Sequence, residues 1–211
     1  MFRSDNLFSR FMNTLFDVIC IGILWILFSL PFLTSGAATT AAYYAMAKSV
    51  RFKTGYAHRE FWRSFRLNLK QSGPLSALQI LAGGILAIDI WYVWNNESKW
   101  NNGLFMILLL VLFILTGISI YSWPLLSRFE KNNSELIKTA VVLLFRYLPV
   151  TLLIIAVLTG FGIFIYLMPW AVFLLPGIYL FLLTFPMEWI MKKLMPKVEE
   201  DSIEAKKWYY E

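Results

Sequence analysis

The sequence predicts an all-α, polytopic transmembrane helical bundle. Three observations carry that reading. Of 211 residues, 59% are hydrophobic and only 15% charged, against about 25% charged in a soluble domain. Mean hydropathy is +0.63. Several apolar stretches reach the roughly 20 residues that a bilayer requires. Together these exclude a soluble globular domain, a disordered chain and a disulfide-stapled secreted module. The lone Cys20 forms no internal disulfide and reads as a small apolar side chain.

The first span runs from about Phe11 to Leu30 and ends at Pro31. No signal-peptide cleavage site follows it, so it is expected to stay in the membrane. After the break Pro31–Gly36, residues 37–50 read as a short second helix, with Thr34 or Ser35 as its N-cap. A basic amphipathic helix is expected over 58–72, and Pro74–Trp94 is a clean span. Gly103–Trp123 is the most apolar span and precedes Pro124. A capped helix starting near Ser134 leads into a crossing from Tyr147 to Leu167, with a kink expected at Pro149. Pro169–Met191 is the last span, bent or broken at Pro176 and Pro186. This gives one transmembrane domain, 1–191, and a charged tail, 192–211. The bundle has six membrane helices, or five if 37–50 does not span.

Lysine and arginine distribution sets the orientation. Seven basic residues lie from Lys48 to Lys70, four more from Arg128 to Arg146, and five follow the last span. The opposite side carries only Lys99. With six helices, 18 of 19 basic residues and both termini face the cytoplasm. The net charge of +6 is thereby explained by membrane orientation. Trp91, Tyr92, Trp94, Trp100, Tyr166 and Trp170 are expected at the outer interface, and Tyr147, Trp189 and Trp208 at the inner one.

Catalytic constellations are absent from the sequence. His58 is the only histidine, and no Cys/His cluster suits zinc. There is no P-loop and no Gly-x-Ser-x-Gly. No catalytic residue, cofactor or metal site is expected. Ala37, Ala41, Ala45 and Ser49 form a small-residue stripe that admits close helix approach. It serves either packing within the chain or docking onto another membrane protein. Gly83 and Ala87 form a weaker pair. Arg59, Arg63, Arg66 and Lys70 fall within an arc of about 60° on a helix. Phe61, Trp62, Phe65 and Leu69 take a different face. The stripe is expected to lie on anionic headgroups or to meet an acidic partner; the flanking aromatics, placed in lipid, argue against nucleic acid. Asp17 and Arg146 are the candidate intramembrane charges, expected to pair, while Asp89 and Glu188 are expected near interfaces.

The stretch Pro31-Phe-Leu-Thr-Ser-Gly-Ala-Ala-Thr-Thr-Ala41, followed by Tyr43-Tyr44, resembles the YesL family of bacterial membrane proteins. So does Phe61-Trp-Arg-Ser64-Phe65-Arg-Leu-Asn68, although the family often has Phe where Leu69 stands. The resemblance in specific motifs covers about residues 31–72. It implies a Gram-positive plasma-membrane protein encoded beside genes for oligosaccharide import and polysaccharide breakdown, and so an accessory subunit beside ABC importer permease subunits. It supplies no catalytic residues. Partner contact is then expected through Phe61, Ser64, Phe65 and Asn68 and through Ala37, Ala41 and Ala45. The alternative is a small-solute transporter that uses intramembrane carboxylates, Asp17 or Asp89.

Overall fold

The structure, a computed structural model, describes residues 7–95, 101–129 and 131–195, with side chains over 11–95, 103–129 and 131–195. Arg3, Lys99, Trp100, Trp208 and the Glu199–Asp201 run lie outside the described residues, as does the Arg10 side chain. Among the described residues there are seven α-helices and no strand. They are α1 (Leu7–Ser29), α2 (Ser35–Ala45), α3 (Ala57–Asn95), α4 (Asn101–Arg128), α5 (Asn133–Arg146), α6 (Leu148–Leu167) and α7 (Leu175–Leu194). Four helices are long and apolar enough to cross a membrane: Phe11–Ser29, Ala57–Asn95, Gly103–Arg128 and Leu148–Leu167.

Pro31 ends α1 because it lacks an N–H and restricts the residue before it. The Thr34 hydroxyl lies 2.7 Å from both the Phe28 and Pro31 carbonyls. It thus covers acceptors that the helix end leaves open. Neither Thr34 nor Ser35 caps α2 as the sequence suggested: Ser35 Oγ instead donates to the Phe32 carbonyl at 2.7 Å. α2 continues through a π-helical turn, Met46–Arg51. Gly55, with φ +87°, then turns the chain into α3.

α2 is the centre of the bundle. Eight of its eleven residues are buried, including Ala37, Ala38, Ala41, Ala42 and Ala45 at 0% exposure. Small side chains let α1, α3 and α7 close on it from several directions. At its N-terminus the Gly36 N–H donates to Ser76 Oγ at 3.1 Å. A Cβ there would overlap the Ser76 hydroxyl and the Trp123 ring. α1 crosses α7 equally closely, at Gly22 against Gly177, where a Cβ on Gly177 would fall 2.5 Å from the Val18 carbonyl oxygen.

Four proline expectations are corrected. The amphipathic helix and the following span are one continuous 39-residue helix, α3, that runs through Pro74. At 1.5 Å per residue it is about 58 Å long, nearly twice a bilayer core of about 30 Å. Pro74 removes one backbone hydrogen bond. The helix persists because Ser72, Leu75 and Ser76 on either side are buried. In the same way α4 runs through Pro124, whose neighbours Trp123, Leu125 and Leu126 are buried, and α7 runs through Pro186. The reverse holds at Pro149. The chain breaks at Tyr147, φ −115° and ψ 38°, and Pro149 occupies the first turn of α6, where no N–H is needed. A short 3₁₀ segment, Pro169–Phe173, joins α6 to α7, so the last helix starts at Leu175, beside Pro176, and ends at Leu194.

Two cores hold the bundle. One packs Tyr43, Tyr121, Leu125, Leu143, Leu144 and Met187 across α2, α4, α5 and α7. The other packs Ile21, the α2 alanines, Phe61 and Phe65 across α1, α2 and α3. Outward faces carry exposed apolar side chains, Leu110, Leu153 and Phe185 among them. Such a surface is compatible with a multi-pass membrane protein.

Candidate functional site

The most unusual chemistry lies between the two cores. Glu188 on α7 and Arg128 at the end of α4 form an ion pair whose side chains are 0% and 1% exposed. The Tyr43 hydroxyl, from α2, donates to Glu188 Oε1 at 2.7 Å. The second carboxylate oxygen, Oε2, is buried with no hydrogen-bond partner. One turn before Glu188, the Thr184 carbonyl accepts from Arg51 Nη1 at 2.6 Å. The Arg51 guanidinium also stacks 4.8 Å over the Phe185 ring. Two arginines and one carboxylate therefore meet α7 within one helical turn, between apolar layers. A charge in that setting persists because it is paired and hydrogen-bonded.

The local folding that builds this cluster is readable. Pro124 leaves α4 intact, so its last turn carries Arg128 inward. The π-helical turn after Ala45 places Arg51 at α7. It also places Lys48 against Glu60, with Nζ and Oε1 2.8 Å apart. Inserted residues of this kind re-aim side chains at functional sites.

A cavity of about 290 Å³ adjoins the cluster. The Tyr43 ring forms part of its wall, with Trp25, Thr39, Trp123, Phe161 and Tyr179. Trp25 Nε1 donates to Thr39 Oγ1 at 2.9 Å, and Thr39 Oγ1 donates to the Ser35 carbonyl at 2.8 Å. Trp25 and Thr39 are satisfied by these bonds, and the cavity presents an apolar lining.

The expected Asp17–Arg146 pair is not formed. Asp17 is partly exposed on α1, while Arg146 is exposed at the end of α5 with its guanidinium 5.8 Å from the Tyr147 ring centre. Glu188, expected near an interface, is instead the buried carboxylate. Sequence position misled here: Lys192 stands one turn away on the same side of α7 and is exposed, whereas Glu188 is enclosed by Tyr43 of α2 and Arg128 of α4. Asp89 is exposed on α3.

The motif residues are brought together, inside the chain. Phe61 (0% exposed) and Phe65 (7%) pack on Phe28 at ring-centre distances of 5.8 and 4.9 Å. Ser64 is buried and accepts at Oγ from Asn68 Nδ2 at 3.2 Å, while the Ser64 carbonyl accepts from the same nitrogen at 2.8 Å. The spacing Phe-x-x-Ser-Phe-x-x-Asn is thus one helical face turned to α1. Ala37, Ala41 and Ala45 are fully enclosed, so that stripe serves packing within the chain and offers a partner no exposed surface. Gly83 and Ala87 line a shallow hollow with Trp91 and Trp94.

By contrast Arg59, Arg63, Arg66 and Lys70 are all exposed along one side of α3. The Arg66 guanidinium lies 4.6 Å over the Trp62 ring, and Trp62 is itself exposed. Trp91, Tyr92, Trp94, Tyr166 and Trp170 are exposed near the ends of α3 and α6 and before α7, as an interfacial belt requires.

Fold and surface define an all-helical protein with the long apolar helices of a multi-pass membrane protein. A family model described as "Protein of unknown function, DUF624" matches residues 18–90, from within α1 to near the end of α3, and includes both motif stretches. No curated protein and no solved structure matches the chain.

Proposed function

We propose that the chain is a non-enzymatic, YesL-like membrane protein that serves as an accessory subunit or regulator of a carbohydrate (oligosaccharide) ABC importer. In this reading it lies in a bacterial plasma membrane with both termini cytoplasmic. α2 with its π-helical turn and α7 complete six membrane helices. The observation that carries the proposal is the build of α3. Its C-terminal half is apolar enough to span, while its N-terminal half presents an exposed cationic face on the same rigid helix. The Lys48–Glu60 ion pair, the Phe28–Phe61–Phe65 contact and the enclosed α2 brace that helix. A scaffold that holds a charged face at a fixed place beside the bilayer suits contact with a neighbouring subunit and with anionic headgroups. The motif resemblance supplies the importer and the sugar.

A second reading is favoured by one observation: Tyr43 both lines the apolar cavity and hydrogen-bonds the buried Glu188 carboxylate. This is a small-solute transporter that uses Glu188 in place of the expected Asp17 or Asp89. Mild-detergent pulldown with mass spectrometry of bound partners separates the two. An accessory subunit brings down permease subunits and moves no solute alone in liposomes. Solute uptake by the lone protein, abolished in Glu188→Gln, decides for the transporter.

A further inference from the structure

We propose that the cleft between α6 and α7 binds one anionic diacylphospholipid, with an acyl chain in the cleft and the phosphodiester held by Arg146 and Lys193. The cleft has a volume of about 240 Å³ and is walled by Leu153, Ile154 and Val157 of α6 and by Leu182, Leu183 and Phe185 of α7. Its walls are hydrocarbon, so the ligand portion within it is apolar. One to two turns along both helices, Tyr147 and Trp189 meet edge to face, with ring centres 5.7 Å apart. Two cations cover that aromatic pair. Lys193 Nζ lies 3.4 Å from the Trp189 ring centre and 5.8 Å from that of Tyr147. The Arg146 guanidinium lies 5.8 Å from the Tyr147 ring centre. Both cations are exposed, and neither meets a carboxylate within 4 Å among the described residues.

The order along the cleft is hydrocarbon wall, aromatic pair, cations. That is the order of an anionic amphiphile: chain, glycerol region, phosphate. Aromatic rings favour the glycerol depth and basic side chains the phosphate depth of a bilayer. Charge sign selects the lipid class. A zwitterionic headgroup adds a cation that Arg146 and Lys193 repel, whereas phosphatidylglycerol does not. The inference rests on the membrane-spanning character of the chain and is independent of the importer reading.

The test uses the full-length protein in neutral detergent, titrated with phosphatidylglycerol or with phosphatidylcholine of the same chains. Bound lipid is counted by native mass spectrometry. The expected result is one tightly retained phosphatidylglycerol and weak retention of phosphatidylcholine. Arg146→Gln with Lys193→Gln, both surface positions, should weaken that retention roughly 30-fold, from two cations at the headgroup. Val157→Trp, which fills the cleft, should weaken it as well. Arg59→Gln with Arg63→Gln and Arg66→Gln should leave the one retained lipid in place. Equal retention of the two lipids, or unchanged retention in the Arg146/Lys193 variant, overturns the proposal. So does loss of the retained lipid in the Arg59/Arg63/Arg66 variant, which would put the site on α3.

Discussion

Tyr43 hydrogen-bonds Glu188 across 145 residues of chain, in an interior that also buries the Arg128 guanidinium. Removing the carboxylate breaks a buried ion pair and takes from the Arg128 guanidinium its contact with Glu188. That costs about 3–5 kcal/mol, whereas replacing both members with apolar groups of similar size is often neutral. Glu188→Gln should therefore lower stability by about 3–5 kcal/mol. The Arg128→Met, Glu188→Met double variant should recover most of the loss. Thermal unfolding in detergent reads both. A double variant as unstable as the single one would show that the pair is needed for more than its own neutrality.

Tyr43→Phe isolates the hydroxyl. The ring still fills its place in the core, and only the hydrogen bond to the carboxylate is lost. A bond to a charged group contributes about 1.5–3 kcal/mol. The variant should fall between wild type and Glu188→Gln in thermal unfolding. A loss as large as that of Glu188→Gln would mean that the ion pair cannot form without Tyr43.

The helical class, the order of the helices and the outward aromatics were legible because they follow from composition and from the length a bilayer sets. The basic stripe was legible because its 3.6-residue period needs no tertiary information. The buried pair was not. Glu188 stands four residues from Lys192 and five from Lys193, and only its enclosure by α2 and α4 buries it. Arg128 follows Pro124, and a proline reads as a helix end in sequence; buried neighbours override that reading, as they do at Pro74. Asp17 looked deeper than Glu188 because depth along one helix was legible and enclosure by other helices was not. The Phe61–Asn68 motif was legible as a pattern. Its inward direction depended on Phe28, which no local signal connects to it.

Gly177 should not tolerate a side chain. A Cβ there would press on the Val18 carbonyl, and Gly22 lies opposite on α1. The obstacle is backbone, so no rotamer change relieves it. Gly177→Ala should cost about 1–3 kcal/mol by overpacking. Gly160→Ala is the matched control, because nothing lies within 4 Å of a Cβ at Gly160. Equal thermal stability of the two variants would show that α1 and α7 can separate freely.

Both termini should face the cytoplasm, on the strength of 18 of 19 basic residues falling on one side. Single cysteines at Ser4 and Ser202, in a Cys20→Ser background, should resist a membrane-impermeant reagent on intact cells. They should react after lysis. A cysteine at Asn96, between α3 and α4, should react on intact cells. Labelling of Ser4 together with protection of Ser202 would mean five spans.

The exposed face of α3 gives the final prediction. Phe65 and Asn68 are tied into the chain by Phe28 and Ser64, so their substitution would test folding rather than partner contact. Trp62 touches the Phe28 ring, 5.3 Å between centres, but is 39% exposed, with Arg66 stacked on it. Headgroup contact needs charge and little geometry, so Arg→Lys at 59, 63 and 66 should leave membrane anchoring unchanged. A protein partner that uses bidentate Arg–carboxylate pairs should bind less well after the same change. An exposed aromatic flanked by arginine is also the residue type on which interface energy concentrates. We therefore expect Trp62→Ala to insert and fold normally and yet to lose copurifying partners. The triple Arg→Lys variant should keep them if the stripe meets lipid alone. Retention of partners by Trp62→Ala and by the triple Arg→Lys variant alike would assign this face to the bilayer and move the partner surface elsewhere on the chain.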